Sequence, residues 1–284
     1  EVDPFALFGV RDAAAEKRVF ETAARRHAGR SDEARVLYKA GKPGRHYSGS
    51  LEVYLLGVVD FDSALALQER LARELYARDD TQGKLLLCEH QPIITVGREG
   101  SAADIRADET DLISREMEIR WLNRGGGCIV HAPGQLAAYP VVPLDRLGLR
   151  LDGYRRRLEQ AVIDTCSEMR VPAYRDVDRP GVWCRTGKFT ELGVSVRSWV
   201  AYHGLFINVA PSVELLNLVG PQSTKGPGRE TTTLVTERHG NVSMHVVREG
   251  LLRHLARQLA YDEYHLYTGH PLLKRTRRRV HVHA

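Results

Sequence analysis

Three consecutive glycines, Gly125, Gly126 and Gly127, stand between Arg124 and Cys128 in the run from Arg124 to Pro140. Glycine lacks a Cβ, so it reaches positive φ and admits close approach by another group, at an entropic cost that a plain turn seldom bears three times over. The run therefore reads either as a binding loop or as a tight turn beside a solvated arginine. Its surroundings favour the loop. Pro133-Gly134 is a second turn signal just after His131, and Leu136 to Val142 is an apolar run expected to form a buried strand. Loop followed by strand gathers Arg124, His131 and Gln135 around one concavity, with glycine N–H groups expected to face a ligand.

The rest of the chain suits a catalytic domain. Its 284 residues, 43% of them hydrophobic, suffice for one domain with extensions. No apolar run approaches the ~20 residues that span a bilayer, and the first residues do not read as a signal peptide. Four scattered cysteines without a Cys-x-x-Cys pair fit a reducing cytoplasm, not a disulfide framework or a structural zinc. Glu89-His90 has no further ligand at helical spacing, and His281 and His283 belong to a tail, so neither metal nor cofactor is expected. The net charge of +5 is concentrated at the ends. Lys274, Arg275, Arg277, Arg278 and Arg279 supply five positive charges, residues 1–50 hold 10 basic and 7 acidic side chains, and residues 51–273 hold 26 and 29. The basic tail is either a solubilising segment or a dock for an acidic partner. Nucleic acid is not expected, because no aromatics interleave with the basic residues.

Hydrophobic periodicity predicts strands near 52–59, 84–88, 93–96, 128–130, 138–142, 182–184, 189–196 and 204–208, and helices at 62–78, 151–169 and 242–260. Strand-rich runs interrupted by few helices imply an α+β fold, a largely antiparallel mixed sheet flanked by helices. Three parts are expected: a basic N-terminal extension (1–50) with a helix at Ala13 to His27, a catalytic domain (51–262) and a basic C-terminal tail (263–284). Pro221 to Thr233 reads as a mobile loop.

Between Leu51 and Tyr261 the chain resembles the lipoyl(octanoyl) transferases, whose fold is shared with lipoate-protein ligases and the catalytic domain of biotin protein ligases. The resemblance is carried by Leu55 and Gly57, by Asp60 to Gln68, by Glu89 to Arg98 and by the glycine run. It continues through Arg179 to Trp183, Gly187-Lys188 with Gly193, and Tyr202 to Val209. It implies an acyl pocket lined by Arg124, Gly125, Gly126, Gly127, Cys128, Ile129, Val130 and His131, by Glu191, Leu192 and Gly193, and by His203, Gly204 and Leu205. It also implies that Lys188 lowers the pKa of a cysteine nucleophile in a Pro-Cys-Gly turn. The corresponding turn here reads Val219-Gly220-Pro221-Gln222-Ser223-Thr224, so Gln222 stands at the nucleophile position. A carboxamide donates and accepts hydrogen bonds but forms no acyl-enzyme.

The substitutes are Cys128 in the glycine loop and the hydroxyls of Ser223 and Thr224; Cys184, if it shares a strand with Lys188, stands ~13 Å from it at ~3.3 Å per residue, too far for direct pairing. Cys88 and Cys166 read as core residues. Lys188 is then left to polarise a thioester carbonyl or to hold a phosphate as a compact cation. The implied activity is transfer of an octanoyl group from acyl carrier protein to a lysine of a lipoyl domain, in a 2-oxoacid dehydrogenase or the glycine cleavage H protein. The alternatives are a non-catalytic acyl- or lipoyl-domain-binding paralogue and an ATP-dependent lipoate ligase.

Overall fold

The computed structural model describes residues 49–176, 179–220 and 231–273. The helix expected at Ala13 to His27, Gln222 with Ser223 and Thr224, and the basic cluster Lys274 to Arg279 lie outside the described residues.

A large mixed sheet, buried on both faces along its central strands, organises the fold. Its eight strands are β1 (Leu51–Val59), β2 (Gly83–His90), β6 (Gln135–Pro143), β7 (Tyr174–Arg175), β8 (Val182–Cys184), β9 (Gly187–Arg197), β10 (Val200–Asn208) and β11 (Tyr264–Thr268). They run in the order β11-β1-β2-β6-β10-β9-β8-β7. The β1 strand is parallel to both β11 and β2, and every other pairing in this sheet is antiparallel. A smaller sheet holds β3 (Ile93–Val96) between β4 (Glu118–Trp121) and β5 (Cys128–His131).

Successive side chains point to opposite faces of a strand, and the core divides accordingly. Leu85, Leu87, Leu136 and Ala138 meet helices α3 (Leu151–Glu168) and α6 (Met244–Gln258) through Leu158, Val162, Leu251 and Leu255. Leu86, Cys88, Ala137, Tyr139 and Phe206 meet α1 (Phe61–Tyr76) through Ala64, Leu67, Leu71 and Leu75. In α1 the buried positions recur every three or four residues, as a helix with one face on a sheet requires. Asp60 starts it by accepting the Ser63 N–H at 2.8 Å. A third cluster, with Ile94, Val96, Met117, Val130 and Leu218, packs the small sheet. Three short α-helices, α2 (Glu109–Ser114), α4 (Val213–Leu216) and α5 (Leu234–Arg238), and a 3-10 helix at Ala102–Asp104 complete the described chain.

The α+β architecture with a mostly antiparallel sheet is as the patterning implied, and the three long helices fall within two residues of their expected ends. Three strands escaped sequence reading. The β4 and β7 strands are short and largely exposed, so they carry no periodic apolar signal. All five residues of β11 are exposed, and the pattern placed them in the tail from 263 onward; pairing with β1 makes them the sheet's edge. Of the loop expected from Pro221 to Thr233, only residues 231–233 are described. Thr232 N–H donates to the Lys188 carbonyl at 2.8 Å, and Thr233 caps α5.

Candidate active site

The hairpin of β9 and β10 carries several of the residues singled out in the sequence. It carries Lys188, Glu191 and Gly193 on one strand and His203 and Gly204 on the next, with Gly193 opposite Gly204. The glycine run docks onto it, because Gly125 N–H donates to Val194 O at 2.9 Å. Each contact brings together segments far apart in sequence.

Arg124 is fully buried. Its Nη2 donates to the Thr95 carbonyl at 3.1 Å and to Thr95 Oγ1 at 2.7 Å, and its Nη1 to Gly125 O at 3.0 Å. Among the described residues it has no carboxylate within ion-pair distance, and its Nε–H has no partner. Burial lowers its pKa to about 10 against the stabilising field of Glu191, so it remains a cation at neutral pH. The chain makes room for it with glycine. A Cβ at Gly97 would stand 2.8 Å from Arg124 Nη1, and one at Gly193 2.8 Å from Arg124 Cδ. An arginine is thus threaded between the small sheet and the large one.

The glycine run differs from its sequence reading. Only Gly126 of the three has positive φ, at 79°. Gly125 N–H is engaged by Val194, and Gly126 N–H donates to Glu99 Oε1 at 3.2 Å. The Gly126 and Gly127 carbonyls accept from Glu99 N and Gly97 N. The loop is braced by the turn after β3 instead of presenting both of those N–H groups to a ligand.

The two histidines are neutral by burial. Phe61 and Phe206 surround His131, whose Nε2 meets Thr95 Oγ1 at 2.9 Å and whose Nδ1 meets Gln135 Oε1 at 3.0 Å. Its pKa lies well below the usual histidine value, through desolvation and then the neighbouring His90 and Arg124. Both ring nitrogens are occupied within the protein, so His131 supports other groups and does not itself reach a substrate. His203 holds a left-handed backbone at φ 58° and its N–H donates to Gln68 Oε1. Desolvation brings its pKa down to about 3, and its Nδ1 has no partner among the described residues.

Lys188 Nζ and Glu191 Oε2 form an ion pair at 2.5 Å, with both side chains mostly buried. The Trp183 ring lies 5.8 Å from Nζ, and Arg179 stacks on the same ring at 4.2 Å. Trp183, not Cys184, is the cross-strand neighbour of Lys188. Cys184 and Lys188 lie on separate strands, as the strands expected at 182–184 and 189–196 implied, because the chain turns between Cys184 and Gly187.

None of the four cysteines, all free and buried, is set up as a nucleophile. Cys128 packs with Ile94, Val96 and Val130, its Sγ faces Ser101 O at 3.4 Å, and burial pushes its pKa up. Burial does the same at Cys88 and Cys184 and brings Cys166 to about 12. Ile129 and Val130 are core side chains of separate clusters, and Leu192 and Leu205 pack on the α3 and α6 face of the large sheet. Their backbones belong to the site; their side chains belong to the core.

Thr95 and Asn208 took part in no role assigned from sequence, yet both lie in the site. The signal was present: Thr95 is a polar residue inside an otherwise apolar buried strand and Asn208 ends the apolar run Leu205 to Ile207, so each must find a hydrogen-bond partner.

A family model for the lipoyl protein ligase A/B catalytic domain matches residues 60–256. An octanoyltransferase of Geotalea uraniireducens is 39% identical over 189 residues, 66% of this chain and 84% of that protein. One of Nitratidesulfovibrio vulgaris is 36% identical over 200 residues, covering 70% and 89%. Among solved structures, the bi-partite lipoate protein ligase of Thermoplasma acidophilum superposes with a TM-score of 0.64 at 18% identity, covering 79% of this chain and 89% of that one. A lipoate-protein ligase A bound with ATP superposes with a TM-score of 0.64 at 18% identity, covering 78% and 90%. These two likenesses are of fold.

Proposed function

The chain belongs to the octanoyltransferase family and carries its lipoyl protein ligase A/B catalytic domain, and from that membership we propose that it moves an octanoyl group from acyl carrier protein to a lysine of a lipoyl domain. Such domains occur in 2-oxoacid dehydrogenases and in the glycine cleavage H protein. The observation that carries this reading is the Lys188–Glu191 pair on the β9–β10 hairpin, whose Gly193 also receives the buried Arg124. A lysine cation held on that hairpin by a carboxylate can stabilise negative charge developing on a thioester carbonyl oxygen.

The mechanism differs from one with an acyl-enzyme. Gln222 supplies no thiolate, and the buried cysteines have raised pKa values. The acceptor lysine's neutral amine therefore attacks the thioester carbonyl directly. A C–N bond forms, the C–S bond breaks, and the proton lost by the amine ends on the departing thiol. Lys188 serves as electrostatic support to the oxyanion, held in place by Glu191. The four unpaired cysteines suit a reducing cytoplasm, and no helix among the described residues is long and apolar enough to cross a membrane.

A second reading rests on Gln222 alone: a protein that keeps the pocket and binds acyl carrier protein or lipoyl domains without catalysis. Intact-protein mass spectrometry separates the two. The protein is incubated with octanoyl-acyl carrier protein and an apo lipoyl domain in the absence of ATP. An octanoyl mass gain on the lipoyl domain, with none on this chain, is expected for direct transfer. A gain on this chain would replace aminolysis by a covalent route. No gain on either, with the carrier still bound, establishes the binding protein, and a gain that requires ATP establishes a ligase.

A further inference from the structure

A single threonine joins the two functional halves of the site. Thr95 is fully buried in the middle of β3, between Ile94 and Val96. Its Oγ1 lies 2.7 Å from Arg124 Nη2 and 2.9 Å from His131 Nε2. A guanidinium only donates, so the hydroxyl accepts from Arg124 and its own hydrogen is free for His131 Nε2. The other acceptor nearby, the Ile129 carbonyl, lies at 3.5 Å, at the limit of a hydrogen bond.

The far side of His131 fixes its tautomer independently. Gln135 Nε2 donates to the Val130 carbonyl at 2.9 Å, and a carbonyl only accepts, so the amide orientation is determined. Its Oε1 therefore faces His131 Nδ1 at 3.0 Å, and Nδ1 carries the ring hydrogen. The same Gln135 nitrogen donates to Asn208 Oδ1 at 2.9 Å. From Arg124 through Thr95, His131 and Gln135 to Asn208, every bond donates in one direction. Such a chain polarises each member in turn. It crosses from the small sheet to β10 beneath the glycine loop, whose Gly125 carbonyl is held by the same guanidinium.

We propose that Thr95 is a positioning residue of the transfer site: its hydroxyl holds the Arg124 guanidinium beneath the glycine loop by tying it to Nε2 of His131, whose Nδ1–H form Gln135 sets. Its effect on turnover rests on the transferase reading above, whereas its effect on His131 does not.

The test pairs Thr95→Val, which keeps the shape and removes the hydroxyl, with Thr95→Ser, which restores it. Two quantities are read: steady-state octanoyl transfer, and the ring nitrogens of His131 by 15N NMR of the whole chain near pH 7. Displacing a charged group by a fraction of a bond length predicts a kcat loss of about 10- to 100-fold in Thr95→Val with KM for octanoyl-acyl carrier protein little changed. Thr95→Ser should recover most of it. In the wild type, His131 should show a protonated Nδ1 and a bare, hydrogen-bonded Nε2. In Thr95→Val, Nδ1 keeps its hydrogen on Gln135 while the Nε2 resonance moves as its donor is lost, and Thr95→Ser restores it. An Nε2 resonance unmoved in Thr95→Val overturns the proposal. An Nε2–H or doubly protonated His131 in the wild type overturns the proposal without any variant, even if Thr95→Val does not fold. A Thr95→Val protein that is less stable but keeps its kcat reduces Thr95 to a structural residue and also overturns it. If the wild type transfers nothing, the functional reading fails separately, and the His131 spectra of the two variants decide the positioning role alone.

Discussion

Arg124 occupies the space that a side chain at position 193 would need: a Cβ there would lie 2.8 Å from Arg124 Cδ and 2.9 Å from the Gly125 carbonyl. One of these neighbours is backbone tied to Val194 and cannot yield cheaply. Gly193→Ala should therefore cost about 1–3 kcal/mol, the range for overpacking a filled site, and should weaken octanoyl transfer by moving Arg124. Chemical denaturation read beside the transfer assay checks both. An unchanged denaturation midpoint would show that the threading is looser than these distances say.

The role of Lys188 separates from its contribution to stability. Lys188→Met leaves Glu191 without its partner at a largely buried position, and breaking a buried pair in this way costs up to about 3–5 kcal/mol. Adding Glu191→Leu removes the orphaned carboxylate. The double variant should regain most of the lost stability while transfer stays absent. Recovery of transfer in the double variant would assign the pair to the scaffold alone.

Acid should destabilise the fold before any carboxylate titrates. Desolvation lowers the pKa of His90 to about 4 and that of His203 to about 3, and it holds His131 well below its usual value. A group whose folded pKa is depressed contributes stability that is present above the unfolded pKa and lost as pH falls through the folded one. For histidine the loss starts near pH 6.5, where the unfolded chain begins to bind protons that the folded one refuses. Each such histidine contributes up to about 1.4 kcal/mol per pH unit. Thermal unfolding between pH 7 and pH 5 should show this fall. His203→Asn, which suits the left-handed backbone at that position, should make the fall shallower. An equal slope in the variant would exclude His203 as a source.

The native thiols should be inert. All four cysteines are buried, and burial raises the pKa of each. A thiol-reactive aromatic disulfide should label none of them rapidly in the folded protein and all four in denaturant. Cys128→Ala should leave octanoyl transfer largely intact, since removing a sulfur packed among Ile94, Val96 and Val130 leaves only a small cavity in the core. A fast-reacting Cys128 would reopen a covalent route.

Much of this molecule was legible in one dimension. The alternation that sends Leu85 and Leu87 to one face of the sheet and Leu86 and Cys88 to the other is written in the chain, as are the apolar stripe of α1 and the capping Asp60. The resemblance marked Lys188, Glu191, Gly193 and His203, and the β9–β10 hairpin does bring them together. Edge strands were missed because exposure erases periodicity: β11 gains its identity only from pairing with β1.

Local pattern thus specifies which residues are apolar, where helices begin and which glycines are costly, because these follow from neighbours within a few positions. It does not specify what a glycine leaves room for. The run at Gly125 to Gly127 looked open to a ligand, and in the fold Val194 and Glu99 engage two of its N–H groups. Gly193 admits Arg124, Gly97 admits the Gly126 carbonyl with the Arg124 guanidinium behind it, and the partner of Thr95 is a histidine on another strand. Hydrogen bonds and close packing act over a few ångströms in space, and only the tertiary structure brings residues so far apart in sequence within that reach.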